Sequence, residues 1–214
     1  MRSIRQTDIN TFCSFPLSLS ISHNRKYPNV RLVTQNVDRL HLKSGVDPSH
    51  LIEVHGAIGL YRCINPGCEF SSRKYFTDIR IERDETGTVI PPLCPGCNAL
   101  ALPLTLLFDE HYASHTFYRN DVLCDWLDRA EVIVFVGTSF SVGVTSAAVR
   151  SALAWGSDVY SFNICEQTPP RTITAAQILN VTGPCAETLP ILARECHADS
   201  RRQGGSFWSS CSLM

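Results

Sequence analysis

Four cysteines, spaced Cys63-x4-Cys68 and Cys94-x2-Cys97 with 25 residues between the pairs, constrain the middle of this chain more than any other feature of it. Four thiolates match the tetrahedral preference of Zn²⁺, and the Pro66-Gly67 and Pro95-Gly96 turns let each pair aim both sulfurs at one point. A closed four-sulfur set leaves no open coordination position. The implied zinc therefore holds its segment together and does not activate water. Residues 62–103, which carry both pairs together with prolines and glycines, read as a small zinc-binding insert of loops and short strands. A thioredoxin-like redox reading of Cys94-Pro-Gly-Cys97 fits less well, because that motif opens a helix and Asn98 to Pro103 does not read as one. Ten cysteines in 214 residues also fall short of a disulfide scaffold, which needs roughly 8–10%. The expectation is an intracellular, reducing compartment, with cytoplasm or nucleus ahead of an organelle.

Around the insert the pattern is α/β. Val132 to Val136 is a continuous apolar run of the kind a parallel strand buried on both faces requires. Ser146 to Trp155 reads as a helix and Asp158 to Phe162 as the next strand, which makes a βαβ unit. Val30 to Gln35 and Leu104 to Phe108 read as further strands, Tyr118 to Ala130 as a helix, and Thr188 to Cys196 as a closing amphipathic helix. The main domain is thus expected over 28–61 and 104–196, the insert over 62–103, and poorly ordered tails over 1–27 and 197–214.

Net charge is −1, and around the insert Arg62, Arg73, Lys74, Arg80 and Arg83 are balanced by Glu69, Asp78, Glu82, Asp84 and Glu85. That balance argues against strong nucleic-acid binding. No apolar run approaches the roughly 20 residues of a membrane-spanning helix, so no membrane role is expected. Three strand ends carry the polar candidates. Thr34-Gln35-Asn36-Val37-Asp38 places two amides and a carboxylate after the first strand, with His41 close by and His55-Gly56 fourteen residues beyond it. Such groups can bracket a carboxamide or a ribose, and a histidine can take a hydroxyl proton. Gly137-Thr138-Ser139 follows the buried strand, and Asn163, with Glu166 three residues on, follows the next. Convergence of strand ends on one edge is the pattern of a nucleotide crevice.

The set Thr34-Gln35-Asn36-Val37-Asp38-Arg39-Leu40-His41, Glu53-Val54-His55-Gly56, the two cysteine pairs, Phe108-Asp109-Glu110, Val136-Gly137-Thr138-Ser139 and Phe162-Asn163-Ile164 resembles the sirtuins in order and spacing over roughly residues 30–195. Sirtuins are NAD-dependent protein-lysine deacylases. The resemblance implies an α/β, Rossmann-like parallel-sheet domain with a zinc-binding insert held by Cys63, Cys68, Cys94 and Cys97. It implies transfer of the acyl group of an acyl-lysine protein or peptide to ADP-ribose, with release of nicotinamide. Gln35 would then touch ribose hydroxyls, Asn36 orient water near the reacting carbon, and Asp38 meet the carboxamide. His55 would be the general base. Gly137, Thr138 and Ser139 would hold the phosphate and ribose portion, with Asn163, Glu166 and Cys185 on the adenosine side. The peptide would lie as an added strand between Phe108-Asp109-Glu110 and the loop after Ser139.

The sequence departs from the family ahead of Thr34. The family's glycine-rich phosphate loop and its Pro-Asp-Phe-Arg segment are not found there, and the first glycine of the chain is Gly45. The expectation is an incomplete sheet with half of its cofactor site missing and an unpaired strand edge, as a truncated gene model, a splice form or a pseudoenzyme would have. Self-association through that edge is one consequence; the oligomeric state is left open. Two alternatives to the deacylase reading stand beside it: a catalytically inactive binding module, and a mono-ADP-ribosyltransferase using the same residues.

Overall fold

The computed structural model describes residues 30–167, 178–192 and 211–213. In chain order the strands and helices are β1 (Val30–Thr34), α1 (Leu40–Lys43), β2 (Leu51–Glu53), β3 (Gly56–Cys63), α2 (Glu69–Ser72), β4 (Glu82–Arg83), β5 (Val89–Ile90), β6 (Ala101–Thr105), α3 (Asn120–Asp128), β7 (Val132–Val136), α4 (Gly143–Trp155), β8 (Asp158–Asn163), β9 (Ile178–Thr182), α5 (residues 185–192) and β10 (Cys211–Leu213). The principal sheet has six strands in the order β2-β1-β10-β7-β8-β9. Every pair from β1 through β9 in that order is parallel. This is the α/β sheet expected from the apolar run at 132–136, whose Ile133, Val134 and Phe135 are buried on both faces.

Helix α4 buries Val144, Thr145, Ala148, Val149 and Ala152, a stripe at helical spacing. It stops at Gly156, whose left-handed backbone (φ 76°) lets its N–H close on the Ala152 carbonyl. Asp128 ties the end of α3 to α4 by accepting from Ser151 Oγ and Trp155 Nε1 at 2.8 and 3.2 Å. Helix α3 begins at Asn120, later than Tyr118, because Arg119 is left-handed (φ 50°) and ends a preceding 3₁₀ turn.

Three expectations are corrected. The apolar stretch 104–108 is not one strand: β6 ends at Thr105, and Leu107 and Phe108 are exposed on the loop beyond it. Residues 211–213, expected within a solvated tail, form β10. The unpaired edge expected beside β1 does not occur, because β10 pairs with β1 on one side (Val30 opposite Cys211) and with β7 on the other (Cys211 opposite Val132). An open slot between two parallel strands would leave a row of N–H and C=O groups on each, and any extended segment of the same chain satisfies both rows. Cys196, Phe207 and Trp208 lie outside the described residues. Among the described residues no helix is long and apolar enough to cross a membrane.

The chain divides into two compact units. Among the described residues, one contains residues 30–32, 41–51, 124–167, 178–192 and 211–213. Its core gathers Val30, Val134, Phe162 and Leu189, with Tyr160, Val181 and Leu192 packed against them. The other contains Val33–Leu40 and Ile52–Leu123. Its core packs Ala57, Leu60 and Leu104 of the antiparallel pair β3 and β6, whose register shifts between Gly56 and Tyr61, with Tyr118 of the 3₁₀ turn before α3.

Candidate functional site

In the second unit the residues after β1 are stitched to their neighbours through the backbone. The Thr34 carbonyl accepts from Val54 N–H at 3.0 Å, and the Val37 carbonyl from Ile58 N–H at 2.8 Å. Thr34 Oγ1 accepts from Asn36 N–H, and Asp38 Oδ1 caps α1 by accepting from Leu40 N–H at 2.9 Å. Gln35, Asn36 and Asp38 are all half-buried. Arg39, in left-handed backbone (φ 61°), turns toward the buried carboxylate of Glu53, 3.6 Å away. Burial pushes the Glu53 carboxyl above the usual range, with Arg39 opposing.

His55 follows directly. Its carbonyl accepts from Leu106 N–H at 2.9 Å, which fixes the backbone against the end of β6. Its Nδ1 lies 3.1 Å from the Gln35 carbonyl oxygen, which can only accept, so Nδ1 carries the hydrogen and Nε2 the lone pair. The Tyr112 hydroxyl, 3.3 Å from Nε2, is then the donor, and the two rings stack with centroids 5.9 Å apart at 16°. Burial holds the imidazole pKa below its ordinary value, with the Gln35 carbonyl partly opposing. A half-buried, neutral imidazole with its basic nitrogen defined is what a general base requires near neutral pH.

The four cysteine sulfurs lie within 4.8 Å of one another. Cys63 and Cys97 are 3.4 Å apart and Cys68 and Cys94 3.8 Å, against the roughly 3.8 Å edge of a tetrahedron of sulfurs about 2.3 Å from zinc. Backbone N–H groups already point at the sulfurs: Asn65 to Cys63 at 3.3 Å and Gly96 to Cys94 at 3.4 Å, with Asn65 Nδ2 3.7 Å from Cys97. Such donors favour thiolate and orient ligands. The thiols conflict with one another as acids: burial pushes Cys63 up to about 12, while the Ala99 N–H draws Cys97 down to about 7. A divalent cation at the centre removes that conflict. Close approach fixes the turn's composition too, since a Cβ on Gly96 would stand 3.0 Å from the Phe70 ring. The four thiols, their spacing and the N–H donors aimed at them fit zinc.

Phe108 is fully exposed and Asp109 exposed. Glu110, expected among the substrate contacts, is instead turned inward. It forms an ion pair with Arg62, both side chains largely buried, and its Oε2 accepts from Leu107 N–H at 3.1 Å. That closes a tight loop and leaves Phe108 at its tip.

In the first unit the residues after β7, β8 and β9 meet at the carboxyl edge of the sheet. Gly137, in left-handed backbone (φ 62°), donates its N–H to the Phe162 carbonyl. Asn163 is buried; its Nδ2 donates to the Thr138 carbonyl at 2.9 Å and its Oδ1 accepts from Ile164 N–H. Cys185 Sγ lies 3.6 Å from the Phe162 carbonyl. Ser139 is exposed, with its hydroxyl 2.8 Å from that of Ser141. Glu166 is exposed on the loop after β8. Thr138, Asn163 and Cys185 are thus brought together, while Ser139 and Glu166 face solvent. Sequence reasoning missed Tyr112 and Arg62; no local pattern ties residue 112 to His55, 57 positions away.

Comparison with known proteins gives a consistent picture. A model of the Sir2 family matches residues 16–144. The chain is 37% identical over 194 residues to NAD-dependent deacetylase sir2E of Dictyostelium discoideum, a match covering 86% of this chain and 55% of that protein. It is 30% identical over 172 residues to an NAD-dependent protein deacylase of Leptospira interrogans, covering 80% of this chain and 62% of that one. The chain therefore spans between about half and two thirds of the length of these curated relatives. Among solved structures, a Sir2 homologue in complex with ADP-ribose superposes with a TM-score of 0.65 at 23% identity, covering 86% of this chain and 67% of that one. Sir2 bound to an acetylated peptide superposes at 0.63 and 23%, covering 86% and 74%.

Proposed function

Because the chain belongs to the Sir2 family, we propose that it acts as an NAD-dependent protein-lysine deacylase, with His55 as the general base. The observation that carries the proposal is the His55 geometry: Nδ1–H held by the Gln35 carbonyl, Nε2 left basic, and burial keeping the ring neutral. The names of the relatives support the same reading. Bound NAD would supply an electrophilic ribose carbon and the hydroxyls that receive the acyl group. Gln35, Asn36 and Asp38 would bind and orient the nicotinamide ribose side, and Nε2 of His55 would take the proton of the attacking hydroxyl. Gly137, Thr138 and Ser139 would hold the phosphate and ribose portion, with Asn163, Glu166 and Cys185 toward the adenosine. Phe108 and Asp109 would meet the acyl-lysine peptide, adding a strand whose backbone bonds give affinity with little sequence demand. The zinc would be structural, and four thiols kept for a metal would suit a reducing intracellular compartment, cytoplasm or nucleus ahead of an organelle.

The test mixes the zinc-loaded protein with NAD and an acetyl-lysine peptide and follows both products by mass spectrometry. Deacylated peptide and acyl-ADP-ribose in equal amounts are the expected result. A peptide heavier by one ADP-ribose would make the protein a transferase of a different kind, and an unchanged peptide would make it a binding module.

A further inference from the structure

The lone pair of His55 Nε2 is already occupied. The Tyr112 hydroxyl donates to it across 3.3 Å, and the tyrosine ring lies nearly parallel to the imidazole. That distance is longer than a well-formed hydroxyl hydrogen bond, so the contact is readily exchanged for a better one. Tyr112 does not drift into this place. On one side Glu110 is fixed by Arg62 and the Leu107 N–H. On the other, His115 is buried, its Nε2 3.0 Å from the Lys74 carbonyl and its Nδ1 accepting from Phe117 N–H at 3.0 Å. A further turn, Ser114 N–H to His111 carbonyl at 2.8 Å, lies between them. A four-residue span with both ends anchored carries the phenol to one position.

We propose that Tyr112 is a positioning residue and place-holder for His55: its stacked ring holds the imidazole in orientation, and its hydroxyl occupies Nε2 in the free protein until an incoming ribose hydroxyl replaces it. The inference rests on the reading of His55 as the base. In the exchange the O–H···N bond from Tyr112 is broken and one from the ribose is made to the same lone pair. The proton that later moves to Nε2 is the ribose proton, and Tyr112 keeps its own. The ring and the hydroxyl thus have separable effects.

The experiment compares wild type with Tyr112→Phe and Tyr112→Ala, reading the ¹⁵N resonance of His55 Nε2 without ligand, the affinity for NAD by calorimetry, and steady-state kinetics. In Tyr112→Phe the resonance is expected to move toward that of an unbonded lone pair, NAD to bind about two- to threefold tighter, and kcat to stay unchanged, because a weak competing hydrogen bond has gone. In Tyr112→Ala kcat is expected to fall, with the Phe variant restoring it. An unmoved resonance in the Phe variant overturns the place-holder; weaker NAD binding or a fall in kcat there makes the hydroxyl part of the reaction instead. Equal kcat for the Ala and Phe variants overturns the positioning role. Wild-type protein that binds no NAD would sink the deacylase reading, while the resonance would still decide whether Tyr112 caps Nε2.

Discussion

Replacing Gly56 by alanine should destabilise this protein more than the gain of a single methyl group suggests. Gly56 follows His55 in left-handed backbone with φ 87°, where an L residue pays about 1–2 kcal/mol. Its Cβ would also stand 2.1 Å from the Leu104 carbonyl oxygen and 2.8 Å from Thr105 Cα. Both are backbone atoms of β6, so no side chain can swing away. Relief requires β6 to move by more than 1 Å, roughly the gap to ordinary contact. That movement strains the Gly56–Thr105 pairing and the Leu106 N–H bond to the His55 carbonyl, at about 1 kcal/mol per hydrogen bond. The sum is about 3–4 kcal/mol, a large part of the roughly 5–15 kcal/mol that holds a domain folded. Gly59 is an internal control: it has φ 82° on the same strand, yet a Cβ there meets nothing within 4 Å. Gly59→Ala should therefore cost only the backbone strain, about 1–2 kcal/mol. Urea unfolding of both variants followed by circular dichroism measures the difference. Equal midpoints for the two would refute the close-approach argument and with it the account of how His55 is held.

Chelating the metal, or substituting the buried Cys94 by serine, should remove bound zinc as measured by elemental analysis and lower the thermal midpoint; a midpoint indifferent to chelator would deny the metal its structural role. Burial depresses the pKa of both His55 and His115 below 6.5, so the unfolded chain binds protons the native protein resists. Stability should hold above about pH 6.5 and fall as pH drops through that value toward the native pKa values, a slope that His115→Gln should reduce in urea titrations. Deleting residues 211–214 should leave facing edges of β1 and β7 without partners and drive self-association, read by light scattering; a monodisperse, equally stable deletion would show that β10 is dispensable.

What could be read from sequence was whatever local composition encodes. The run at 132–136 has one physical solution, a strand buried on both faces, and the cysteine spacing has one economical ligand. Residues 104–108 misled because apolar content alone cannot tell a strand from a loop that exposes Leu107 and Phe108; what ends β6 is the tertiary pairing of Thr105 with Gly56. Strand β10 was illegible because Cys-Ser-Leu has no period, and the reason for its pairing lies in the slot between β1 and β7. Likewise Glu110 carries the same charge whether it meets a substrate or Arg62, and only the fold decides. The bond between Tyr112 and His55 is of this kind: two residues with no local signal, joined by the path of the chain between them.

If His55 is the base of an acyl transfer, the decisive quantity is the rate at which the folded, zinc-loaded protein forms acyl-ADP-ribose from NAD and an acetyl-lysine peptide, beside His55→Ala. Formation by the wild type is expected, with a loss of about 10²-fold or more in the variant while zinc content and unfolding midpoint are preserved. A folded variant that forms the product at the wild-type rate would contradict that role for His55.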